Sequence, residues 1–294
     1  MRCGCNAKGY NVIRGLYPFV SGVFLKETQE QKRRRLLELA KASVANTYST
    51  GEHSLVQAIN TYNELDKVKN LVHEKLEEWY GIYFPELRSG SMASYAKFVI
   101  EFGMEKKRAD RDGISAIFGA KEGERVFEQA QRSIGRDPSE SEYAMLRMLA
   151  KQEDDIEQVQ KSLDAFIKES CSERIPNLAY LVDYRIAAEL LAKAGSLSKL
   201  ALMPASTIQL LGAEKALFKH IKFGKKPPKY GILFKMPEIT NGKRESRGRI
   251  ARLYATKISI AARADAFTKR FIAKELKEDI NRRLKEIDSR KGRR

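Results

Sequence analysis

The residues with the clearest potential for chemistry lie between Gly212 and Pro228, where lysines alternate with aromatic side chains. Three of the lysines are spaced by four and three residues, so on an α-helix they share one face and can follow a phosphate backbone. The basic members of this stretch are Lys215, Lys219, Lys222, Lys225 and Lys226. The pattern predicts a contact with nucleic acid.

Aromatic side chains are interleaved with these lysines, at Phe218, His220, Phe223 and Tyr230. Such rings can stack on unpaired bases, as the recognition of single-stranded or looped RNA requires. Each ring taken by itself is more typical of a hydrophobic core than of a stacking surface, and the sequence leaves both roles open. The double proline at 227–228 holds the basic loop extended.

A second basic pattern lies in the helix expected around RGRIARLYATKISIAARADAFTKR. At 100° per residue, four arginines fall within a stripe of about 60°. They are Arg249, Arg252, Arg263 and Arg270. The stripe predicts contact with phosphates or a partner. Structural ion pairing is the alternative, for which the local acidic residues are Glu245 and Asp265.

The distribution of charge supports a polyanionic partner. The chain has 294 residues, with 55 Lys+Arg, 38 Asp+Glu and a formal net charge of +17. From Lys215 to Arg294 there are 25 basic and 8 acidic residues, so the first 214 residues hold 30 of each sign and sum to zero. This asymmetry indicates nucleic acid or an anionic membrane surface as the partner of the C-terminal part.

Signatures of catalysis are missing from the sequence. It contains no phosphate-binding Walker loop, no G-x-S-x-G, no H-E-x-x-H and no glycine fingerprint after a strand. The three histidines are far apart, and His53 and His73 are expected to be solvated. We therefore predict no catalytic residue, no metal and no cofactor.

Cysteine usage and hydropathy indicate the compartment. Cys3, Cys5 and Cys171 cannot form a disulfide framework, and Cys3 and Cys5 have no second pair at zinc spacing. No apolar run approaches the roughly 18–20 residues that span a bilayer, and Gly, Lys, Asn and Arg interrupt the opening residues. A cytoplasmic protein without membrane contact is predicted.

The secondary structure that positions these residues is predicted to be all-α, because helix formers fill the segments between the eight prolines. Apolar residues at steps of three and four predict one long helix from Leu55 to Trp79, and shorter helices follow it. A second long helix is expected from Asp137-Pro138 to just before Pro176.

The apolar residues of the second long helix approximate a heptad repeat, which predicts a coiled-coil hairpin with the first. An ordinary amphipathic helix packed on a globular core is the alternative. The candidate coiled-coil residues are Leu65, Val72, Leu76, Leu149, Ile156, Val159, Leu163 and Phe166.

These motifs together resemble the Nop-domain family. MPASTIQLLGAEKALF, PPKYG, RGRIAR and KISIAARAD stand in family order between Pro176 and Phe267, and SLVQAINTYNELDK followed by EEWYGIYFPEL resembles the start of the family's coiled-coil domain. The family comprises the archaeal scaffold of box C/D small ribonucleoproteins and its nucleolar and spliceosomal relatives. The resemblance covers roughly residues 54–270.

The resemblance implies an all-α, non-enzymatic protein with a long coiled-coil helical hairpin followed by a compact helical Nop domain. The expected domains are a shortened N-terminal segment with a lead-in helix (1–53), the coiled coil (54–176), the Nop domain (177–270) and a basic C-terminal tail (271–294). The coiled coil would pair two copies into a homodimer.

The implied partners are a guide RNA with a kink-turn, the small ribosomal-type protein bound to that kink-turn, and fibrillarin, the S-adenosylmethionine-dependent 2′-O-methyltransferase. The RNA-facing residues carried over from the family motifs are Gly212, Ala213, Glu214, Lys215, Lys219, His220, Lys229, Tyr230, Arg249, Arg252, Lys257 and Arg263. Tyr230 stands where many relatives have His.

One departure from the family leaves alternatives open. Only 53 residues precede Ser54, which is short for a fibrillarin-binding domain. A Nop-domain clamp without fibrillarin, as in a splicing-like particle, is therefore the alternative. An architectural protein that binds nucleic acid by charge alone, or a methyltransferase in its own right, would be functions of other classes.

Overall fold

The computed structural model describes residues 28–49 and 51–289, and within these ranges the secondary structure is helical, without a β-strand. The all-α prediction is confirmed. The α-helices are α1 (Gln29–Ser49), α2 (Glu52–Tyr80), α3 (Met92–Phe102), α4 (Arg111–Phe118), α5 (Ala120–Arg132), α6 (Glu140–Arg174), α7 (Pro176–Leu181), α8 (Tyr184–Ala194), α9 (Leu197–Leu202), α10 (Ala205–Leu210), α11 (Glu214–Phe223), α12 (Pro237–Thr240), α13 (Arg247–Arg263) and α14 (Ala273–Ser289).

The chain divides into two compact units, residues 1–49 and 50–294. In the first unit the structure describes α1, which carries the expected lead-in helix and leaves Leu36, Leu37 and Leu39 more than half exposed. The cysteines Cys3 and Cys5 lie outside the described residues. None of the helices in 28–49 and 51–289 is both long and apolar enough to cross a bilayer.

In the second unit, α2 and α6 form the predicted hairpin of two long helices. The first helix has almost the expected bounds, and Gly81 caps its C-terminus by donating its N–H to the Glu77 carbonyl at 2.9 Å. The second begins two residues later than Pro138, because Ser139 and Glu142 form a capping box. Pro176 opens the next helix, so the hairpin ends where predicted.

Two hydrophobic cores lie at the two ends of the hairpin. The tip core joins the end of α2 and the start of α6 to α3–α5, around Tyr80, Phe84 and Phe98. The base core joins the start of α2 and the end of α6 to α7–α10 and α12–α14, so the expected boundary at residue 176 runs through one continuous core. The segment predicted as a basic tail contains α14, which buries Ala273 and Ile280 completely.

The seam between α2 and α6 has a different phase from the predicted heptad. Leu146, Ala150, Glu153, Gln160 and Ile167 are the buried positions of α6 along it. The expected seam residues Val159 and Phe166 are 49% and 43% exposed, Leu76 is fully buried, and the others are half-buried, namely Leu65, Val72, Leu149, Ile156 and Leu163. Within the chain, Val159 and Phe166 therefore do not belong to the hairpin seam.

The apolar pattern missed this phase because some inward positions of α6 are polar, and one of them belongs to a buried polar pair in the middle of the hairpin. Nδ1 of His73 lies 3.1 Å from Oε2 of Glu153, whose side chain is 1% exposed, and the His73 ring meets Tyr95 edge-on. Burial raises the pKa of the Glu153 carboxyl, while the hydrogen bond with His73 opposes the shift. The expectation that His73 is a solvated residue is wrong, because pairing lets these polar groups occupy inward positions.

Candidate nucleic-acid interface

The GAEK motif forms the turn that starts α11. Gly212 has φ +88° and donates its N–H to Oε1 of Glu214 at 2.6 Å. A Cβ on Gly212 would lie 2.6 Å from Cγ1 of Ile232, so both the backbone and the space require glycine. Burial raises the pKa of the Glu214 carboxyl, but the N–H groups of Gly212 and Glu214 outweigh it and hold the pKa below its usual value. Glu214 thus fastens the turn on which α11 begins.

The helix α11 has no buried residue. Phe218, Ile221 and Phe223 are 60%, 74% and 62% exposed, which settles the open role of the two phenylalanines against a core position. Nζ of Lys222 lies 5.8 Å and 5.5 Å from the rings of Phe218 and Phe223. Lys215 and Lys219 are exposed as well. This helix therefore offers cations and apolar side chains to the same solvent-facing surface.

The loop after α11 is fastened at both ends. At its start, Gly224 has φ +61° and donates its N–H to the His220 carbonyl at 2.9 Å, while Nδ1 of His220 contacts the Lys225 carbonyl oxygen. At its end, Nε2 of Gln209 donates to the Lys229 carbonyl at 2.7 Å. His220 thus closes the loop, and Lys225, Lys226 and Lys229 remain exposed.

Tyr230 and Gly231 join this loop to the body of the domain. The Tyr230 ring stacks on Phe234, with centroids 4.8 Å apart and planes at 8°, and the guanidinium of Arg247 lies 5.7 Å from the Phe234 ring centroid. A Cβ on Gly231 would lie 1.9 Å from the Leu211 carbonyl oxygen, which explains the glycine. Tyr230 is half-buried and packs within the domain.

The arginines of α13 stand on the outer edge of a buried helix. Ile250, Tyr254 and Ile258 face the core, whereas Arg249 and Arg252 are exposed. In the described part of the chain, the ion pairs do not include these two arginines, which disfavours structural pairing as their role. The third arginine of the stripe, Arg263, is exposed and donates from Nε to the Ala201 carbonyl at 3.1 Å.

Two of the residues predicted to lie on the basic surface do not lie there in the structure. Lys257 is 9% exposed and forms an ion pair with Asp279 of α14, so its charge is directed inward. Hydrogen bonding by Lys257 lowers the pKa of the Asp279 carboxyl. Arg270 leaves the stripe because α13 gives way to a π-turn at Ala264–Thr268 and a left-handed Lys269, which invalidates a projection at 100° per residue.

The structure adds residues that sequence reasoning missed. Arg282 and Arg283 of α14 line a groove together with Arg249 and Arg252. Both follow Asp279 at the i+3 and i+4 spacing and contact its carboxylate. This spacing is typical of ion pairs within a helix. It is the sequence feature that could have predicted a helix, rather than a tail, in residues 271–294. We call Lys215, Lys219, Lys222, Lys225, Lys226, Lys229, Arg249 and Arg252 the basic surface.

The fold is similar to that of a chain in the crystal structure of a fibrillarin/Nop5p complex, with a TM-score of 0.52 and 24% sequence identity. The similarity covers 88% of this chain and 78% of that chain. At this level of sequence identity, the similarity shows that the two chains share a fold.

Sequence relatives extend the similarity. The chain is 36% identical over 252 residues to an uncharacterized NOP5 family protein of Methanocaldococcus jannaschii, covering 85% of this chain and 60% of the relative. It is 34% identical over 271 residues to nucleolar protein 58 of Candida glabrata, covering 86% of this chain and 53% of that relative. The chain thus spans between half and two thirds of the length of these relatives.

Residues 61–286 match the Nop family model, which is described as "snoRNA binding domain, fibrillarin". The match includes most of the hairpin, the whole basic surface and most of α14. It extends beyond the resemblance in the sequence motifs, which ends near residue 270. From the order of its motifs, its helical fold and this match, we conclude that the chain belongs to the Nop family.

Proposed function

We propose that this chain is a non-catalytic scaffold of a box C/D-type guide ribonucleoprotein. It binds a kink-turn RNA together with the small protein already bound to that kink-turn, and it supports fibrillarin-dependent 2′-O-methylation. The observation that carries the proposal is α11, a helix without a buried residue that exposes lysines and large apolar side chains together.

Such a helix fits a composite target better than RNA alone. Lysines satisfy phosphates, but exposed Phe218 and Ile221 gain free energy only when a base or a protein surface covers them. A kink-turn that already carries a protein provides both kinds of contact. Binding by charge alone would not need the apolar half of the helix.

The arginines of α13 support the same target from a rigid base. Arg249 and Arg252 are exposed at the edge of a helix whose other face lies in the core. The Cδ of Lys229 lies 3.8 Å from the position of a Cβ on Gly248, so the basic loop meets the start of this helix. The basic surface is therefore continuous from the loop to α13.

Self-association through the hairpin belongs to the proposal. Met145, Val159 and Phe166 are each more than 40% exposed and are spaced by multiples of seven residues, so they share one outward face of α6. Burial of this face against a second hairpin would form the expected homodimer. Two guide sites would then be held at a fixed separation.

Fibrillarin as a partner is supported by the relative solved in complex with it. A pull-down of purified fibrillarin with this chain, with and without kink-turn RNA loaded with its small protein, tests the proposal. We expect fibrillarin to be retained on the loaded RNA only when this chain is present. Formation of the RNA complex without fibrillarin would instead indicate a Nop-domain clamp that works in another ribonucleoprotein. A location in the cytoplasm is compatible with either function.

The composite contact is tested by Phe218→Ser together with Ile221→Ser. These residues are exposed, so the variant should fold, bind naked RNA as the wild type does, and lose affinity for the loaded kink-turn. Ile134→Ser with Met148→Ser, two exposed apolar residues outside the basic surface, is the matched control. Equal binding of loaded RNA by both variants would contradict a role of α11 in protein contact.

A further inference from the structure

A groove between α13 and α14 is lined by arginines from both helices. Its volume is about 500 Å³. The lining residues, which we call the arginine groove, are Arg249, Arg252, Leu253, Thr256, Arg282, Arg283, Glu286 and Ile287. Four guanidinium groups thus border a floor that contains the apolar side chains of Leu253 and Ile287.

The charges around the groove do not cancel. Asp279 contacts Arg282 and Arg283, but it also pairs with Lys257, whose side chain is 11% exposed. Lys257, Arg282 and Arg283 therefore share one carboxylate, and these four groups together carry a net charge of +2. With Arg249 and Arg252 added and the carboxylate of Glu286 subtracted, the groove and the Lys257–Asp279 pair beneath it carry a surplus of three positive charges.

The geometry of the side chains favours a phosphate ligand. The α14 arginines are largely exposed, with side-chain exposures of 71% for Arg282 and 54% for Arg283, so their heads are accessible. A guanidinium presents a planar fork of donors that matches two phosphate oxygens, and arginines from two walls can hold successive phosphates of one strand.

We infer that the arginine groove binds the phosphate backbone of RNA, and that α14 is a second wall of the RNA-binding region rather than a tail. Arg249 and Arg252 belong to both the basic surface and the groove, so a strand that leaves the Lys229 loop can cross α13 and enter the groove. The inference rests on the proposed function for the identity of the RNA. Its chemistry is independent of the kink-turn protein.

The direct test compares Arg282→Gln with Arg283→Gln in one variant against Lys274→Gln with Lys285→Gln in another, both in the full chain. The control pair lies on the same helix, is exposed and does not line the groove. The probe is a naked RNA hairpin with a single-stranded extension, and its affinity is measured at several salt concentrations. Circular dichroism checks that both variants fold, as expected because Asp279 retains Lys257.

Loss of two phosphate contacts should weaken binding roughly tenfold or more, because the charge-assisted hydrogen bonds of two guanidinium groups are lost. The slope of log affinity against log salt should fall in magnitude by roughly 1.4–1.8, at about 0.7–0.9 per phosphate. In the control variant, the slope should change by less than half of this amount. Equal slopes for the two variants would overturn the inference.

Two further arms distinguish an RNA backbone from an acidic protein as the ligand of the groove. Arg282→Lys with Arg283→Lys keeps the charge, and we expect intermediate affinity because the forked donors are lost. Polyglutamate of matched charge should compete poorly with RNA, and equally strong competition would assign the groove to an acidic protein and overturn the inference. If the wild type binds naked RNA through the groove but ignores the loaded kink-turn, the proposed function fails and the groove stands.

Discussion

The two basic helices of the interface, α11 and α13, differ in how the rest of the domain supports them. None of the ten residues of α11 is buried, whereas ten of the seventeen residues of α13 are. The first helix is held at its ends, by the Gly212 turn and the Gly224 cap. The second is held along its whole length by the core.

This difference indicates a division of labour. Side chains on α13 project from a fixed backbone, so binding there orders little besides the arginines themselves. The exposed α11 lacks such support, and its apolar side chains gain from a partner that covers them. The rigid helix should therefore set affinity for RNA, and the exposed helix should set selectivity for the loaded RNA.

The largest expected effect is a difference in the free energy of unfolding between a variant in α13 and a variant in α11. Ile258→Ala in α13 removes a fully buried side chain and should lower the free energy of unfolding by about 2–5 kcal/mol. Ile221→Ala in α11, where the side chain is 74% exposed, should change it by less than about 0.5 kcal/mol. Urea denaturation followed by circular dichroism measures both. Similar losses in the two variants would break the comparison.

The next effect concerns affinity for naked RNA. Arg249→Gln with Arg252→Gln should weaken binding roughly tenfold or more, because two guanidinium groups on an anchored helix are lost. Lys215→Gln with Lys219→Gln should cost about threefold, since flexible ammonium groups lose side-chain entropy when they are ordered. Fluorescence anisotropy with one RNA at fixed salt gives the two ratios. A greater loss from the lysine pair would reverse the assignment of roles.

The smallest effect is the response to acid beneath the two helices. The pKa of Asp279 is lowered by Lys257, so its contribution to stability is present above the ordinary aspartate pKa of about 4 and is lost as the pH falls through the lower, folded-state pKa. Asp279→Asn should therefore flatten the acid side of the stability profile. Glu214→Gln should alter it less, because Glu214 fastens only the start of α11. Thermal melts of both variants between pH 2 and pH 7 measure these effects. A larger change from Glu214→Gln than from Asp279→Asn would indicate that α11 is the better supported helix.

Much of this interface follows from the sequence where one rule dominates. The three-and-four spacing of apolar residues predicted the bounds of α2 within three residues, and the same periodicity placed Arg249 and Arg252 opposite the buried face of α13. The family motif supplied Gly212 as an RNA-facing residue, and the structure adds the reason for the glycine, since a side chain there would clash with Ile232.

The rest depended on contacts between distant segments. The apolar pattern missed the phase of the hairpin seam because the polar residue Glu153 is buried there against His73, which lies 80 residues away in the chain. Lys257 turned inward because Asp279 lies in a helix that composition suggested was a tail. Arg270 was lost from the stripe because a π-turn breaks the helical phase. Periodicity within one helix contains none of this information.

The measurement that tests the central claim most directly is the affinity of the wild-type chain for one kink-turn RNA, naked and loaded with its small protein, at low and at high salt. A scaffold that reads a composite surface should prefer the loaded RNA, and the preference should widen at high salt because the apolar contacts of α11 are not screened. Equal affinities that fall together with salt would contradict the account and leave only binding by charge.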